Sequence, residues 1–354
     1  MTVPTPAGTG ARDGWAQGGQ SPGFLPAKDA GAVGQGPSAL EPGSDPWHGR
    51  LWLRFEAGAT GTVHQGGATA PLRLQRGFRR AGGRCELPIL HTAGGLVGGD
   101  RLSLEVDLAA GSSALLTSVA AQKVYGSVGR SHLAPAGLWA RQDLHMTLAE
   151  RADLEWLPQE LVLYADGLYS QRLRVELAAG ASWLGAEVVR LGRTAAGEQL
   201  AQGRWRSSLE LVRQRPEGRR WELVDRIELA DAALQGEHGM AGQPVFGSLV
   251  WAAPQPLAGE ALADLLAEAR QARAGLEGEM ACGALEQGLV ARYRGPSTTA
   301  ARTWFTRLWA AIRRRRGLPA PELPRCWPFQ EEPLRSAPSP GGSAAAARGS
   351  GAAG

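Results

Sequence analysis

The sequence predicts a mainly β protein of stacked, β-helix-like layers of short strands, with about two α-helices near the C-terminus. Three observations predict it. Apolar and polar residues alternate in runs of five to eight between residues 48 and 255. One phrase of strand, small-residue turn and strand occurs three times. Periodicity of about 3.6 residues is confined to two late segments.

The elements follow in order. Residues 1–47 are dominated by Gly, Pro, Ala and Ser with almost no hydrophobic periodicity, and 330–354 have the same character. Such stretches cannot bury enough apolar surface to offset chain entropy, so both ends are expected to be disordered. Between them, "RLWLRFE", "APLRLQR", "RLSLEVDL" and "SSLELVRQRPEGRRWELVDRIEL" alternate as half-buried strands do. The repeated phrase is "DLAAGSSALLTS" from Asp107, "TLAERADLEWLP" from Thr147 and "ELAAGASWLGAE" from Glu176, which makes Leu108, Leu148 and Leu177 equivalent. Repeated corners of this kind build a layered or solenoid-like body, although a plain β-sandwich fits the same pattern.

The first helical segment, 259–275, carries Leu262, Leu265, Leu266 and Ala269 on one face. The second, 298–317, places Trp304, Phe305, Leu308, Trp309 and Ile312 in one stripe and ends in four arginines and Gly317. Positive charge at a helix C-terminus suits the macrodipole. The stripe is wide enough to dock on the β-body or on a partner protein, so Trp304, Phe305, Leu308 and Trp309 are partner-interface candidates. A membrane-surface or nucleic-acid adaptor would use the same features.

Composition narrows the class. A net charge of +4 is too modest for a nucleic-acid stripe. No run of about 18 apolar residues occurs and the N-terminus has no signal-peptide pattern, so a cytoplasmic location away from membranes is expected. Three cysteines, Cys85, Cys282 and Cys326, are odd in number and widely spaced, which suits a reducing compartment and argues against a zinc site. Only Lys28 and Lys123 are lysines among 38 basic residues. Lys123 is thereby marked as a position where a compact ammonium matters, or as a remnant of arginine-biased composition.

The most unusual stretch is "HTAGGLVGGDR", residues 91–101, with Gly94, Gly95, Gly98 and Gly99 between two strands and Asp100 closing it. Glycines let backbone N–H groups approach an anion. Here the G-x-x-x-x-G spacing from Gly94 to Gly99 runs into Asp100 and Arg101, where a phosphate cradle needs Lys and Ser/Thr. A nucleotide site at this loop is therefore not expected. The six histidines are scattered, no G-x-S-x-G elbow is present, and no cysteine has a nucleophile's context. Asp100, Glu160, Asp166 and Glu198 could converge on one face, which keeps open a β-rich carbohydrate-active enzyme with paired carboxylates. The residues themselves read more as a binding or scaffold protein than as an enzyme.

Several phrases, in order, resemble the urease accessory protein family UreD, also called UreH: "PLRLQRGF" (71–78), "LPILHTAGGLVGGDRL" (87–102), "ALLTSVAAQKVYGS" (114–127), "LEWLPQELVLY" (154–164), "GASWLGAEVVRLGRTAAGE" (180–198) and "LPRCWPF" (323–329). The likeness covers 48–329. It marks His91, the four loop glycines, Lys123 and Tyr125 as motif residues. The resemblance implies a layered β fold and a non-enzymatic role, in which the protein, with UreF and the GTPase UreG, binds the structural subunits of apo-urease and delivers nickel. It also implies an internal passage for Ni²⁺, with no tightly bound cofactor. Passage candidates carried over are Asp100, Glu160, Asp166 and Glu198, with Asp100 and Glu198 as transient metal contacts. One departure is that Tyr164 is followed by Ala165 before Asp166, where many relatives place the aspartate directly after the aromatic.

Overall fold

The structure, a computed structural model, describes residues 47–327 and 333–334. The two segments expected to be disordered lie outside the described residues, apart from Trp47, Pro333 and Leu334. Eighteen strands and three α-helices are present among the described residues. The first nine strands are β1 (His48–Gly58), β2 (Gly61–Ala68), β3 (Leu72–Leu74), β4 (Phe78–Arg79), β5 (Cys85–His91), β6 (Arg101–Leu108), β7 (Ser113–Ser118), β8 (Gln122–Val124) and β9 (Ala140–Leu148). Then come β10 (Asp153–Trp156), β11 (Leu161–Leu163), β12 (Leu168–Leu177), β13 (Ser182–Leu191), β14 (Arg204–Arg215) and β15 (Gly218–Leu229). The chain ends with α1 (Ala232–Gln235), β16 (Val245–Ala252), α2 (Gly259–Gln271), β17 (Glu279–Leu285), β18 (Gly288–Gly295) and α3 (Thr298–Arg315).

These strands form two mixed sheets. The first has the order β15-β14-β12-β9-β6-β1-β2, and the second β17-β18-β16-β13-β10-β7-β5-β3, with β4, β8 and β11 attached to the second. From β5 to β14 the long strands alternate between sheets and pair in parallel with their predecessors. The flanks are antiparallel, as in β14–β15 and β16–β18. Strands reach 12 residues in β14 and β15, longer than the five to eight expected, because a hairpin at the sheet edge extends their pairing.

The repeated corner is real. Leu108 pairs with Leu148, and Leu148 with Leu177, in direct register. Each corner hydrogen-bonds to the next: Ala149 N–H donates to the Leu108 carbonyl (2.9 Å) and Ala178 N–H to that of Leu148 (2.8 Å).

Period-two patterning decides which side chains go inside. In β1, Leu51, Leu53 and Phe55 are buried while Arg50, Trp52 and Arg54 face outward. β16 is buried at every position because it is covered on both faces. One core cluster lies between the sheets. A second joins the other face of the second sheet to α2 and α3. Helix α3 starts where Ser297 Oγ accepts from Ala300 N–H (3.1 Å) and is followed by Gly317 at φ +65°. Among the described residues no helix is long and apolar enough to cross a membrane.

Candidate functional site

The chain returns from the second sheet to the first through segments 92–100, 125–139, 164–167 and 192–203, and these are bonded in series. Leu96 N–H donates to the Lys123 carbonyl (2.8 Å), Ser127 N–H to that of Asp166 (2.8 Å), and Asp166 N–H to that of Leu200 (3.2 Å). The glycine loop owes its composition to this packing. A Cβ on Gly95 would sit 2.8 Å from the Lys123 carbonyl, and one on Gly98 2.2 Å from Ser127 Oγ. Gly99 has φ +99°, a conformation open to glycine. The loop is built to approach β8 and the turn after it.

The predicted carboxylates are placed separately. Asp100 is buried, and its Oδ2 accepts the Val97 N–H (2.9 Å), closing its own turn. Glu160 pairs with Arg302 (2.6 Å). Asp166, at φ +61°, accepts the Gln202 N–H through Oδ1 (3.3 Å). Glu198 accepts from Ala165 N–H and Arg193 Nε, both at 2.7 Å. The Arg193 hydrogen bond, helped by the Ala165 N–H, outweighs desolvation and holds Glu198 below the usual carboxylate range. Asp166 and Glu198 thus flank one turn, but no two of the four share a hydrogen-bonding partner. Paired-carboxylate glycoside chemistry is not what they form.

Of the motif residues, Tyr125 donates to the Gly94 carbonyl (3.1 Å) and meets Tyr164 edge-on with ring centroids 5.1 Å apart. Lys123 is exposed. His91, at the end of β5, has Nδ1 2.8 Å from the Ala93 carbonyl. A carbonyl can only accept, so Nδ1 is the donor there, and the buried Nε2 has no hydrogen-bond partner among the described residues. The expected partner-interface stripe is corrected: Trp304, Phe305, Leu308 and Trp309 are at most 4% exposed, packed between α3 and the second sheet. Trp304 Nε1 donates to the Ala269 carbonyl (2.9 Å) and Trp309 Nε1 to Glu155 (2.8 Å), so their polar edges are satisfied within the chain.

Between the sheets lies a cavity of about 150 Å³. Its rim includes the exposed Gly94, Ala120 and Lys123, and His91 lies in its wall. Deeper in, two polar rows face each other across the apolar core. Gln142, Gln171 and Ser207 are consecutive register partners on the first sheet, and Glu187, Ser248 and Arg292 on the second. Gln171 Nε2 and Ser207 Oγ both donate to the Glu187 carboxylate. Arg292 is bonded to Asp225 and Ser248, and so attracts Glu187 without pairing with it. Glu187 is surrounded by protein yet only partly buried, because it faces internal space. Burial is the largest influence on it, and despite Arg292 and Gln171 its pKa is pushed up to about 7.

Glu187 is the residue that sequence reasoning passed over. A signal existed in "GASWLGAEVVRLGR", because alternation puts Glu187 on the same face as Trp183 and Val189, both buried in the inter-sheet core. A charge in an apolar row is informative. Among the described residues no group of three or more His, Cys, Asp or Glu side chains is placed to hold a metal ion.

The fold and site define a β-body with a largely apolar cavity between its sheets, crossed by one polar row from each sheet. The comparisons give the particular family. The UreD urease accessory protein model matches residues 48–328, and the chain belongs to that family. It is 62% identical over 298 residues to the urease accessory protein UreD of Synechococcus sp. (strain WH7805), covering 82% of this chain and 93% of the relative. It is 60% identical to those of Parasynechococcus marenigrum (strain WH8102), covering 83% and 94%, and Prochlorococcus marinus (strain MIT 9303), covering 82% and 99%. The protein acts in urease maturation, the process of nickel insertion, and is not an enzyme. That membership overturns the carbohydrate-active alternative.

Proposed function

We propose that residues 48–329 act in the cytoplasm with UreF and the GTPase UreG, bind the structural subunits of apo-urease, and convey Ni²⁺ to them through the space between the sheets. The single observation that carries this reading is Glu187, a carboxylate facing the inter-sheet cavity without an arginine paired to it. A cation leaving water needs ligands that offset dehydration yet release it. One carboxylate, amide and hydroxyl oxygens and the Nε2 of His91 hold Ni²⁺ less tightly than clustered His or Cys would. Asp100, Glu160, Asp166 and Glu198 are further passage candidates at the loops, with Asp100 and Glu198 as transient contacts. Strands that alternate between the sheets, parallel to their predecessors, support the reading. Exposed Trp52 and Trp221 on the first sheet supply apolar surface for partners.

The test is Glu187→Gln, which keeps shape and hydrogen bonding but removes the charge. The variant should still assemble with UreF, UreG and apo-urease, while the urease produced contains several-fold less nickel. Full nickel content with intact assembly overturns the passage.

A further inference from the structure

A second recess, of about 210 Å³, shares no lining residue with the inter-sheet cavity. It lies where the repeated corners meet the C-terminal end of α3, and its walls include Arg84, Arg151, Arg313 and Arg316. Among the described residues, two carboxylates answer these four guanidinium groups. Asp153 bonds Arg84 and Arg316, and Glu155 bonds Arg313 with Arg84 at 3.6 Å. Burial works against the Asp153 charge, but Arg84 and Arg316 more than offset it and keep its carboxyl below the usual range. The recess therefore carries a surplus of two positive charges.

The donors are unequally committed. Arg84 and Arg313 are buried and bonded to carboxylates and backbone carbonyls, so they are part of the framework. Arg316 uses one nitrogen, Nη1, on Asp153 (2.9 Å). Arg151 makes no side-chain hydrogen bond or ion pair with the described residues.

The position of Arg151 is the telling observation. In the three repeated corners, "LAAGS", "LAERA" and "LAAGA", Arg151 takes the place of Gly111 and Gly180. Those glycines have φ +70° and +67°, and Arg151 is held in the same left-handed region at φ +56°. A side chain there costs about 1–2 kcal/mol that glycine avoids. The corner accepts that strain and places an uncommitted guanidinium in the wall of a positively charged recess. A Cβ on Gly111 would meet nothing within 4 Å, so this side of the recess is open to a ligand. The helix macrodipole accounts for basic residues in the last turn of α3, but not for Arg84 or Arg151, which come from other elements.

We propose that this recess binds a phosphate dianion, free or as the phosphate end of a nucleotide. Two negative charges match the surplus, and planar guanidinium groups with spare N–H donors suit phosphate oxygens.

The test is calorimetric titration of inorganic phosphate, inorganic diphosphate and a nucleoside diphosphate into the full chain, complexed with UreF if the chain alone associates. The variants are Arg151→Gly and Arg316→Gln. Arg151→Gly restores the glycine of the other two corners, so its thermal midpoint should be equal or higher while phosphate affinity falls about tenfold. Arg316→Gln should weaken binding in the same direction. Tighter binding of the nucleotide than of inorganic diphosphate identifies the nucleotide as the source, and equal or weaker binding identifies the free anion. Absence of saturable binding at millimolar anion, or equal affinity in wild type and Arg151→Gly, overturns the proposal.

Discussion

The two faces of the second sheet each bury a glutamate, and their surroundings are opposite. On the α3 side, Glu155 of β10 accepts from Trp309 Nε1 (2.8 Å) and from Arg313 Nε and Nη2 (2.8 and 2.7 Å), with Arg84 close by. On the inner side, Glu187 of β13 accepts only from an amide and a hydroxyl and looks into open space. A buried charge with full charged partners is a fastener. A buried charge with neutral partners and room beside it is poised to take a cation or a proton, because its compensation is incomplete.

The comparison breaks first at Glu155. Glu155→Gln leaves Arg313 and Arg84 buried with less than their compensation and should cost about 3–5 kcal/mol, read from the denaturant midpoint. A midpoint within experimental error of wild type would remove the fastener role.

Glu187→Gln should do the reverse, with a pH signature. The folded-state pKa of about 7 lies above the ordinary carboxyl value of 4.5, so the folded chain binds the proton more tightly. Wild-type stability should therefore decline as pH rises between these values and level off above, by an amount on the order of 3 kcal/mol. The glutamine variant lacks that decline, so its thermal midpoint should exceed wild type at pH 8 and approach it near pH 4. Parallel pH profiles would show that Glu187 is not held in the protonated form.

Trp309→Phe keeps most of the packing and loses one hydrogen bond to Glu155, costing about 1–2 kcal/mol in thermal denaturation. A loss near zero would mean the Trp309 edge adds nothing to the fastener. The smallest effect belongs to Asp100→Ala, which removes a turn closure worth about 1 kcal/mol. Nickel in the resulting urease should change less than with Glu187→Gln. A larger nickel deficit than that variant shows would move the passage from the cavity to the loop.

Much of this was readable residue by residue. Alternation marked the strands, the corner phrase marked Leu108, Leu148 and Leu177 as equivalents, and the Gly94–Gly99 spacing excluded a phosphate cradle. The α3 stripe was recognisable as a burying face, but whether it covered this chain or a partner was not. The four loop carboxylates were visible as types but not their partners, which are Val97 in the same turn for Asp100 and residues of other segments for Glu160, Asp166 and Glu198.

By itself the sequence determined what depends on a few neighbouring residues: strand and helix periods, tight corners, the glycine loop and the start of α3. Those follow from backbone sterics and side-chain direction, which act over three or four positions. The tertiary structure alone decided that Gln142, Gln171 and Ser207 form a row opposite Glu187, that Glu155 meets Arg313, and that Arg151 joins Arg84 and Arg316 around one recess. These depend on strand register and on burial by segments distant in the chain, as Glu155 and Arg313, 158 apart, illustrate. The energy of a charge is set by what surrounds it in space, and no local pattern encodes that.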